Sequence, residues 1–280
     1  MILISTAGKV GAEAARLLAH RGVPVRVLVR DPAKVTALAR AGVDVVRGDL
    51  GDPSTVDAAV EGVSAVVLVS PAVPAQELAV VDSAVRAGVD HVVKITSKAS
   101  ADSPIARRRG QTEIENGLIA SGIGHTLLRN NAYMQNFLVL APSIARANSF
   151  GSSTGDGRVG MVDTLDVAAV AAEIATNPAP HKGKTYWITG PESLSYADAA
   201  AVLTEVLGRR ITFHPLTFEE QKQAMLAAGL PERVAVMNAQ ALSLFAQGDS
   251  DWTTDDVHTI LGRSPRSFAQ FATDHAPAFS

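Results

Sequence analysis

The chain has 280 residues, is 47% hydrophobic and 19% charged, and carries 25 basic against 28 acidic side chains. A net charge of -3 excludes a general binder of nucleic acid, because such proteins carry a surplus of Lys and Arg. The absence of cysteine excludes disulfides, thiolate metal sites and cysteine nucleophiles. The longest apolar stretch, 63–73, is interrupted and falls short of the ~20 residues that span a bilayer, so we expect a soluble, cytoplasmic protein without a signal peptide.

The first half alternates short β-branched runs with longer helical patterns. Six runs are typical of buried parallel strands, at 2–5, 23–29, 43–47, 65–70, 91–96 and 125–129. Helical spacing occupies the segments between them, at 12–20, 32–40, 53–60, 74–87 and 105–120. Strand and helix in regular alternation predict βαβ crossovers, and therefore an α/β fold with a Rossmann-like doubly wound parallel sheet.

The second half loses this alternation. The pattern predicts a Gly/Ser-rich loop at 150–158, a short strand at 159–162, a helix at 164–176 and a strand at 186–189. Five helical patterns follow, at 196–207, 218–228, 231–246, 254–261 and 267–275. We therefore expect a Rossmann domain at 1–150 and a small, mostly helical C-terminal cap at 151–280, with segments that return to the Rossmann core.

The first βα turn reads STAGKVG at residues 5–11 and places Gly8 and Gly11 three residues apart, after a strand and at the start of a helix. Dinucleotide-binding loops have this context, because glycine lets the backbone approach a pyrophosphate closely. The glycine expected at the start of such a loop is absent. A simple tight turn is therefore the alternative interpretation.

The end of the second strand indicates which dinucleotide would bind. Arg30 lies where the adenosine ribose of a dinucleotide normally lies, and an arginine there favours the 2′-phosphate of NADP over the 2′-hydroxyl of NAD. Asp31 follows, but Pro32 after it is typical of a helix whose first turn Asp31 caps. The pattern favours NADP(H) and leaves NAD(H) open, and a solvated surface arginine is the alternative.

Motifs along nearly the whole chain resemble the NmrA-like group of atypical short-chain dehydrogenases. They lie at 2–11, 27–34, 47–52 (RGDLGD), Ser97, 126–129 (TLLR), 134–137 (MQNF), 189–192 (TGPE), 254–256 (TDD) and 262–268 (GRSPRSF). Within that group the chain is most similar to the NADPH-dependent quinone and azo-compound reductases. The resemblance implies an NAD(P)-binding Rossmann domain and a cap that binds substrate over the nicotinamide.

The resemblance also implies roles for individual residues. It assigns cofactor binding to Thr6, Gly8, Lys9, Val10, Gly11, Arg30, Lys34, Asp49, Leu50, Ser70, Pro71 and Ser97. It places Lys98, Asn131 and Tyr133 near the nicotinamide and the substrate, where each could supply a proton or polarise the acceptor oxygen. Simpler roles are also open, because Asp49 and Asp52 could cap the helix that begins at 53 and Tyr133 could belong to the core.

Departures from the usual pattern of the group affect the expected chemistry. None of the three tyrosines has a Lys four residues later, so the Tyr-x-x-x-Lys proton relay is missing. Gln111 stands where many relatives carry His, and glutamine cannot titrate. The usual Arg-Pro after the sixth strand is Arg129-Asn130. These departures are compatible with cofactor binding and argue against conventional carbonyl reduction.

The first hypothesis is an NADP(H)-dependent oxidoreductase that transfers hydride to a small quinoid, aromatic or carbonyl acceptor. A quinone is favoured because it is electrophilic and needs the protein mainly for positioning. One alternative is an NAD(P)-sensing regulatory protein without turnover, and the other is a biosynthetic enzyme of secondary metabolism on the same fold.

The remaining polar residues point to no further site. The seven histidines lack any i, i+4 pair, so a zinc site is not expected. Lys94, Lys98 and the three arginines at 107–109 form a basic cluster, which is interpreted as a solvated helix face or, second, as a phosphate contact. The expected partner is a small-molecule substrate, with neither nucleic acid nor membrane, and a homodimer is compatible with the sequence.

Overall fold

The β-branched runs of the first half are the strands of one sheet, and the computed structural model describes residues 1–280. The strands are β1 (Ile2–Ile4), β2 (Val25–Val29), β3 (Asp44–Arg47), β4 (Ala65–Leu68), β5 (His91–Ser97), β6 (Gly124–Asn130), β7 (Ser149–Ser152), β8 (Arg158–Val159), β9 (Lys184–Ile188), β10 (Leu194–Ser195) and β11 (Thr212–Pro215). The α-helices are α1 (Lys9–His20), α2 (Thr36–Arg40), α3 (Pro53–Val60), α4 (Pro74–Arg86), α5 (Ala106–Ala120), α6 (Ala141–Ala147), α7 (Thr164–Thr176), α8 (Tyr196–Leu207), α9 (Phe218–Ala227), α10 (Glu232–Phe245), α11 (Asp256–Leu261), α12 (Phe268–Asp274) and α13 (Ala276–Phe279). Short 3-10 helices occupy Pro32–Val35, Met134–Val139 and Ala179–His181.

Seven strands form the main sheet, in the order β3-β2-β1-β4-β5-β6-β9. All pairs among its first six strands are parallel, and β4 is buried at every position. Helix α1 packs against α7 in one layer, while α3, α4 and α5 pack in succession in another. Helices therefore cover both faces of the sheet, which explains the continuous apolar runs of its strands. The predicted Rossmann-like doubly wound fold is confirmed.

By its contacts the chain divides into two compact units. The first unit holds Met1–Asn130, Thr164–Trp187 and Thr259–Gly262, and the second holds Asn131–Asp163, Ile188–His258 and Arg263–Ser280. The first therefore includes nearly all of the main sheet. The expected assignment of binding roles to 1–150 and 151–280 stays a prediction.

The second unit is built on a cluster of aromatic rings. Phe137 lies at its centre, with ring centroids 5.6 Å from Phe150, 4.9 Å from Tyr196 and 4.8 Å from Phe268. Two small sheets accompany this cluster: β7 pairs with β11 in parallel, and β8 pairs with β10 in antiparallel orientation. The prediction of a loop over all of 150–158 is wrong at its start, because Phe150 and Ser152 alternate with half-buried neighbours and β11 pairs with this segment.

Candidate functional site

The carboxyl ends of the parallel strands meet at one edge of the main sheet. The strand order runs outward in opposite directions from β1 and β4, and ligands of open α/β sheets bind at such a switch point. The turn after β1 and the segments after β2, β4 and β5 all leave from this edge. The topology therefore brings the predicted residues Gly8, Arg30, Ser70 and Ser97 to the same edge of the sheet.

The turn after β1 is fixed to the segment that follows β4. The hydroxyls of Ser5 and Thr6 both donate to the carbonyl oxygen of Val69, at 2.7 and 2.8 Å, and the Val69 amide donates back to Ser5 Oγ at 2.8 Å. Thr6, which is predicted to bind the cofactor, therefore holds the turn with its hydroxyl. These bonds give the turn a defined geometry before any ligand binds.

The backbone of this turn requires glycine and presents open amides. A Cβ on Gly11 would lie 2.0 Å from the carbonyl oxygen of Thr6, so no other residue fits there without a backbone shift. Gly8 is the N-cap of the 12-residue helix α1, and no side chain caps this helix or places a carboxylate in its first turn. Anions bind at such helix N-termini through the free N–H groups and the helix dipole. The turn thus fits a dinucleotide pyrophosphate.

The end of β2 carries the residues predicted to select the cofactor. Arg30 is exposed directly after the strand, and Lys34 lies in the 3-10 helix Pro32–Val35 that follows. The Asp31 carboxylate accepts the Ala33 amide at 3.1 Å, so the interpretation of Asp31 as a helix cap is confirmed. With Asp31 engaged in capping, Arg30 is the charged side chain immediately at the end of β2.

The aspartates of the segment after β3 accept hydrogen bonds from nearby backbone amides and so form local turns. Asp52 caps α3 by accepting the Ser54 amide, as the capping interpretation expects. Asp49 does not cap that helix with its side chain, and instead its Oδ1 accepts the Gly51 amide at 2.8 Å. Leu50 is buried in the core of the first unit. The prediction that Asp49 and Leu50 flank the adenine stays a prediction.

A buried ion pair supports the turn after β4. Lys94 Nζ lies 2.6 Å from Glu77 Oε2, and both side chains are 0% exposed. Glu77 Oε1 accepts the hydroxyl of Ser70 at 2.7 Å, and Ser70 Oγ in turn accepts the Ala72 amide at 3.2 Å. The bonds therefore run from the middle of β5 to the turn, where Ala72 adopts a left-handed φ of 62°.

This pair corrects the interpretation of the basic cluster. Lys94 is not part of a solvated face, because its side chain points into the core, where burial lowers its pKa and Glu77 opposes that shift. The sequence signal was a lysine within the otherwise apolar strand VVKIT, which sequence reasoning did not pair with a partner. The role of Glu77 was missed entirely.

Polar groups without partners lie at the end of β5 and within α5. The hydroxyl of Ser97 and the Oε1 atom of Gln111 are both buried and have no hydrogen-bond partner in the chain. Such groups are costly unless a ligand satisfies them. Ser97 was predicted to bind the cofactor, and an orphaned hydroxyl at the carboxyl end of β5 fits that prediction. Lys98, half-buried, follows it directly.

The other two predicted catalytic residues, Asn131 and Tyr133, belong to the second unit. The Asn131 amide is engaged within that unit: its Nδ2 donates to the Ser250 carbonyl at 3.0 Å, and its Oδ1 accepts the Ala132 amide at 2.8 Å. Tyr133 is half-buried and lies at the N-cap of the 3-10 helix Met134–Val139. Their catalytic roles stay predictions, and the contacts of Asn131 favour a positioning role over proton transfer.

A second buried charge network, also missed from the sequence, lies within the second unit. Asp163 is 0% exposed and accepts hydrogen bonds from Gln135 at 2.6 Å and from Arg266 at 2.8 Å. Arg266 also pairs with Asp274.

No group of three His, Cys, Asp or Glu side chains could hold a metal ion, and no helix combines the length and apolar character needed to cross a membrane.

A doubly wound sheet with a glycine turn at its switch point defines a Rossmann-type protein of the dinucleotide-binding class. The family model described as the NmrA-like family matches residues 1–272, and the chain belongs to this family. The predicted resemblance is therefore confirmed.

Individual relatives align over the full length. The chain is 37% identical to the NAD(P)H azoreductase of Xenophilus azovorans over 287 aligned residues, covering 100% of this chain and 99% of the relative. The (4-alkanoyl-5-oxo-2,5-dihydrofuran-3-yl)methyl phosphate reductase of Streptomyces griseus shows the same identity and coverage. The solved structure of an NADPH-dependent quinone oxidoreductase from Escherichia coli, complexed with NADPH, superposes with a TM-score of 0.88 at 30% identity and covers 98% of this chain and 99% of that one.

Proposed function

We propose that the chain is an NADP(H)-dependent oxidoreductase that reduces small quinoid or related aromatic acceptors. The observation that carries the proposal is the turn at 5–11, in which Gly11 has no room for a side chain and the N-terminus of α1 is uncapped. Full-length similarity to an NAD(P)H azoreductase and to an NADPH-bound quinone oxidoreductase supports both the cofactor and the acceptor class.

The first unit is proposed to bind the cofactor at the carboxyl edge of its sheet. The amides at the start of α1 would hold the pyrophosphate, and the Arg30 guanidinium would pair with a 2′-phosphate. The Ser97 hydroxyl would gain the partner that it lacks within the chain. When bound, NADPH supplies a hydride to the acceptor.

The reduction needs one proton besides the hydride. A quinone that gains a hydride and a proton becomes a hydroquinone, while NADPH is oxidised to NADP⁺. The developing phenolate is a stable anion, so one hydrogen-bond donor or solvent can supply the proton. Tyr133 and Lys98 are the proposed donors, and Asn131 is proposed to position the segment that carries Tyr133 through its bonds to Ser250 and Ala132.

A biosynthetic reduction is the second candidate function. It is favoured by the equally high identity to the Streptomyces reductase, whose substrate is an unsaturated phosphate ester rather than a quinone. A cofactor-sensing role without turnover is the third candidate and shares the binding site. Purified protein with NADPH and a panel of quinones, azo dyes and butenolide phosphates separates these possibilities by the substrate that is consumed. A cytoplasmic location stays a prediction.

The decisive experiment compares NADPH and NADH. We expect micromolar binding of NADPH, tighter than that of NADH, and NADPH oxidation with naphthoquinones followed at 340 nm. Arg30→Ala is expected to weaken NADPH about tenfold and to leave NADH unchanged, which corresponds to about 1.4 kcal/mol for one lost phosphate contact. An equal loss for both cofactors would contradict the role of Arg30, and binding of neither cofactor by the wild-type protein would overturn the proposal.

The proton donors are tested separately under saturating NADPH. Tyr133→Phe and Lys98→Ala are each expected to lower kcat about 100-fold if that residue is the donor. NADPH affinity should stay at the wild-type value in the affected variant. If neither variant loses turnover, both assignments are wrong and solvent supplies the proton.

A further inference from the structure

The segment 48–51, which follows β3, lies directly beside the end of β2. The Gly48 amide donates to the carbonyl oxygen of Val29 at 2.9 Å, and Arg30 is the next residue after Val29. A Cβ on Gly48 would lie 2.5 Å from Leu28 Cδ1, so the segment packs on β2 without a gap. The adenine and the 2′-phosphate of NADPH are attached to the same ribose. A phosphate held by Arg30 would therefore bring the base to this segment.

Two polar side chains of the first unit meet at Gly51 in this segment. A Cβ on Gly51 would lie 3.3 Å from Asp49 Oδ1 and 3.5 Å from Gln76 Nε2. Gln76 belongs to the first turn of α4, so the carboxylate and the carboxamide come from two different elements. Both border a position that holds no side chain, because residue 51 is glycine. A flat group could thus reach both of them.

The two side chains are accessible and keep hydrogen-bonding capacity. Asp49 is exposed and Gln76 is half-buried. The Asp49 carboxylate uses Oδ1 to accept the Gly51 amide at 2.8 Å, which leaves Oδ2 for another donor. The Gln76 carboxamide forms no hydrogen bond within the chain. Together they offer an acceptor and a group that can donate.

This combination matches one edge of adenine. The exocyclic amino group of adenine donates, and the neighbouring ring nitrogen N1 accepts. A carboxylate can only accept, whereas a carboxamide can also donate. Hypoxanthine carries a carbonyl oxygen in place of the amino group and a hydrogen on N1, so it would set its oxygen against the Asp49 carboxylate. The pair therefore favours adenine over hypoxanthine.

We propose that Gln76 selects the base of the cofactor, by donating from its carboxamide to adenine N1 while the Asp49 carboxylate accepts from the adenine amino group. This inference rests on the proposed function and assigns a binding residue to its cofactor site. The role of Gln76 was missed from the sequence, because the start of α4 shows no motif beyond an ordinary helix start with Pro74.

The experiment compares NADPH with its analogue in which hypoxanthine replaces adenine. Fluorescence titrations without any acceptor give the Kd of each dinucleotide, and we expect the wild-type protein to bind NADPH about tenfold more tightly. Gln76→Glu places an acceptor opposite N1, which opposes adenine and suits the N1–H of hypoxanthine. This variant should reduce the preference for NADPH about tenfold. Ala75→Glu is the matched control, because it adds the same charge at the neighbouring exposed residue and should keep the wild-type preference.

A second variant tests the other half of the pair. Asp49→Asn can still accept the Gly51 amide and can donate to the carbonyl oxygen of hypoxanthine, so it should also reduce the preference for NADPH. If Gln76→Glu changes both Kd values by the same factor, Gln76 does not contact the base and the proposal is overturned, even when Asp49→Asn shifts the preference. Failure of the proposed function has a different signature: the protein binds NADPH with the expected base preference but does not oxidise it with any quinone.

Discussion

Two regions of the chain differ in how their buried polar groups are partnered: the Lys94–Glu77 region of the first unit and the segment around β7 in the second. In the first unit, buried charges are paired, as in Lys94 with Glu77 at 2.6 Å and Glu115 with Arg129 at 2.5 Å. In the second unit, an aromatic cluster around Phe137 fills much of the core, and the hydroxyls of the segment 152–154 have no partner. The second unit does contain one paired buried carboxylate, Asp163, so the contrast concerns the segment around β7 rather than the whole unit.

The difference indicates where the first unit is held rigid. An ion pair in the core fixes the positions of the elements that carry it, since either charge alone would be strongly destabilising. In the first unit this fixation reaches the turn at Ser70 and Ala72, which leaves from the proposed cofactor edge. Hydroxyls without a partner in the chain add no such constraint between elements.

The largest effect is expected from breaking the buried pair. Lys94→Met leaves the Glu77 carboxylate buried without a counter-charge and should lower the free energy of unfolding by about 3–5 kcal/mol in urea titrations. Replacing both partners, as in Lys94→Met with Glu77→Leu, should recover most of that loss. Arg86→Met is the matched control, because its pair with Asp57 is exposed and should contribute less than about 1 kcal/mol. A double variant as unstable as the single one would show that charge pairing is not what the core requires.

The fold was predictable from sequence because its signals are local. The helix predicted at 53–60 was found at Pro53–Val60, since Asp52 and Pro53 mark its start chemically. The pairing of β7 with β11 was missed, because it joins segments far apart in the chain and each strand is only four residues long. Short strands without a neighbouring turn signal resemble loops.

The candidate site was predictable only in part, for the same physical reason. The glycine turn and Arg30 stand next to strand ends, so topology alone brings them to one edge. The partner of Lys94 is on another element, and nothing in the local pattern of either residue identifies it. The bonds of Asn131 to Ser250 likewise depend on tertiary contacts more than 100 residues apart in the chain. Long-range polar pairs need a structure to be seen.

The next effect concerns the turn at the proposed cofactor site. Gly11→Ala places a Cβ against the Thr6 carbonyl oxygen and should cost about 1–3 kcal/mol of stability through overpacking. The displaced turn should also weaken NADPH binding at least tenfold in a fluorescence titration. Gly8→Ala is the matched control for stability, because no atom lies within 4 Å of its added Cβ and its φ of -71° is ordinary for alanine. If Gly11→Ala unfolds and binds like the wild type, the close contact does not define the turn.

The smallest expected effect concerns His91, a buried histidine of the first unit, and asks whether its ring is uncharged in the folded protein. His91 Nε2 lies 2.9 Å from Thr126 Oγ1, whose own hydroxyl donates to the His181 carbonyl at 2.8 Å, so His91 Nε2 is the donor in the bond to Thr126. Burial lowers the pKa of His91 from its ordinary value of 6.5 to about 4.

At a pH between about 4 and 6.5, His91 binds a proton in the unfolded chain but not in the folded protein. The free energy of unfolding should therefore fall as the pH drops from 6.5 towards 4, by about 1–2 kcal/mol from this residue. His91→Gln keeps a donor for Thr126 but cannot titrate, so urea titrations at pH 7, 6 and 5 should show a shallower decline than in the wild type. Parallel declines in the two proteins would mean that the pKa of His91 is not lowered in the folded protein. The site of His91 would then tolerate a single buried charge, whereas the charges of Lys94 and Glu77 are buried as a pair.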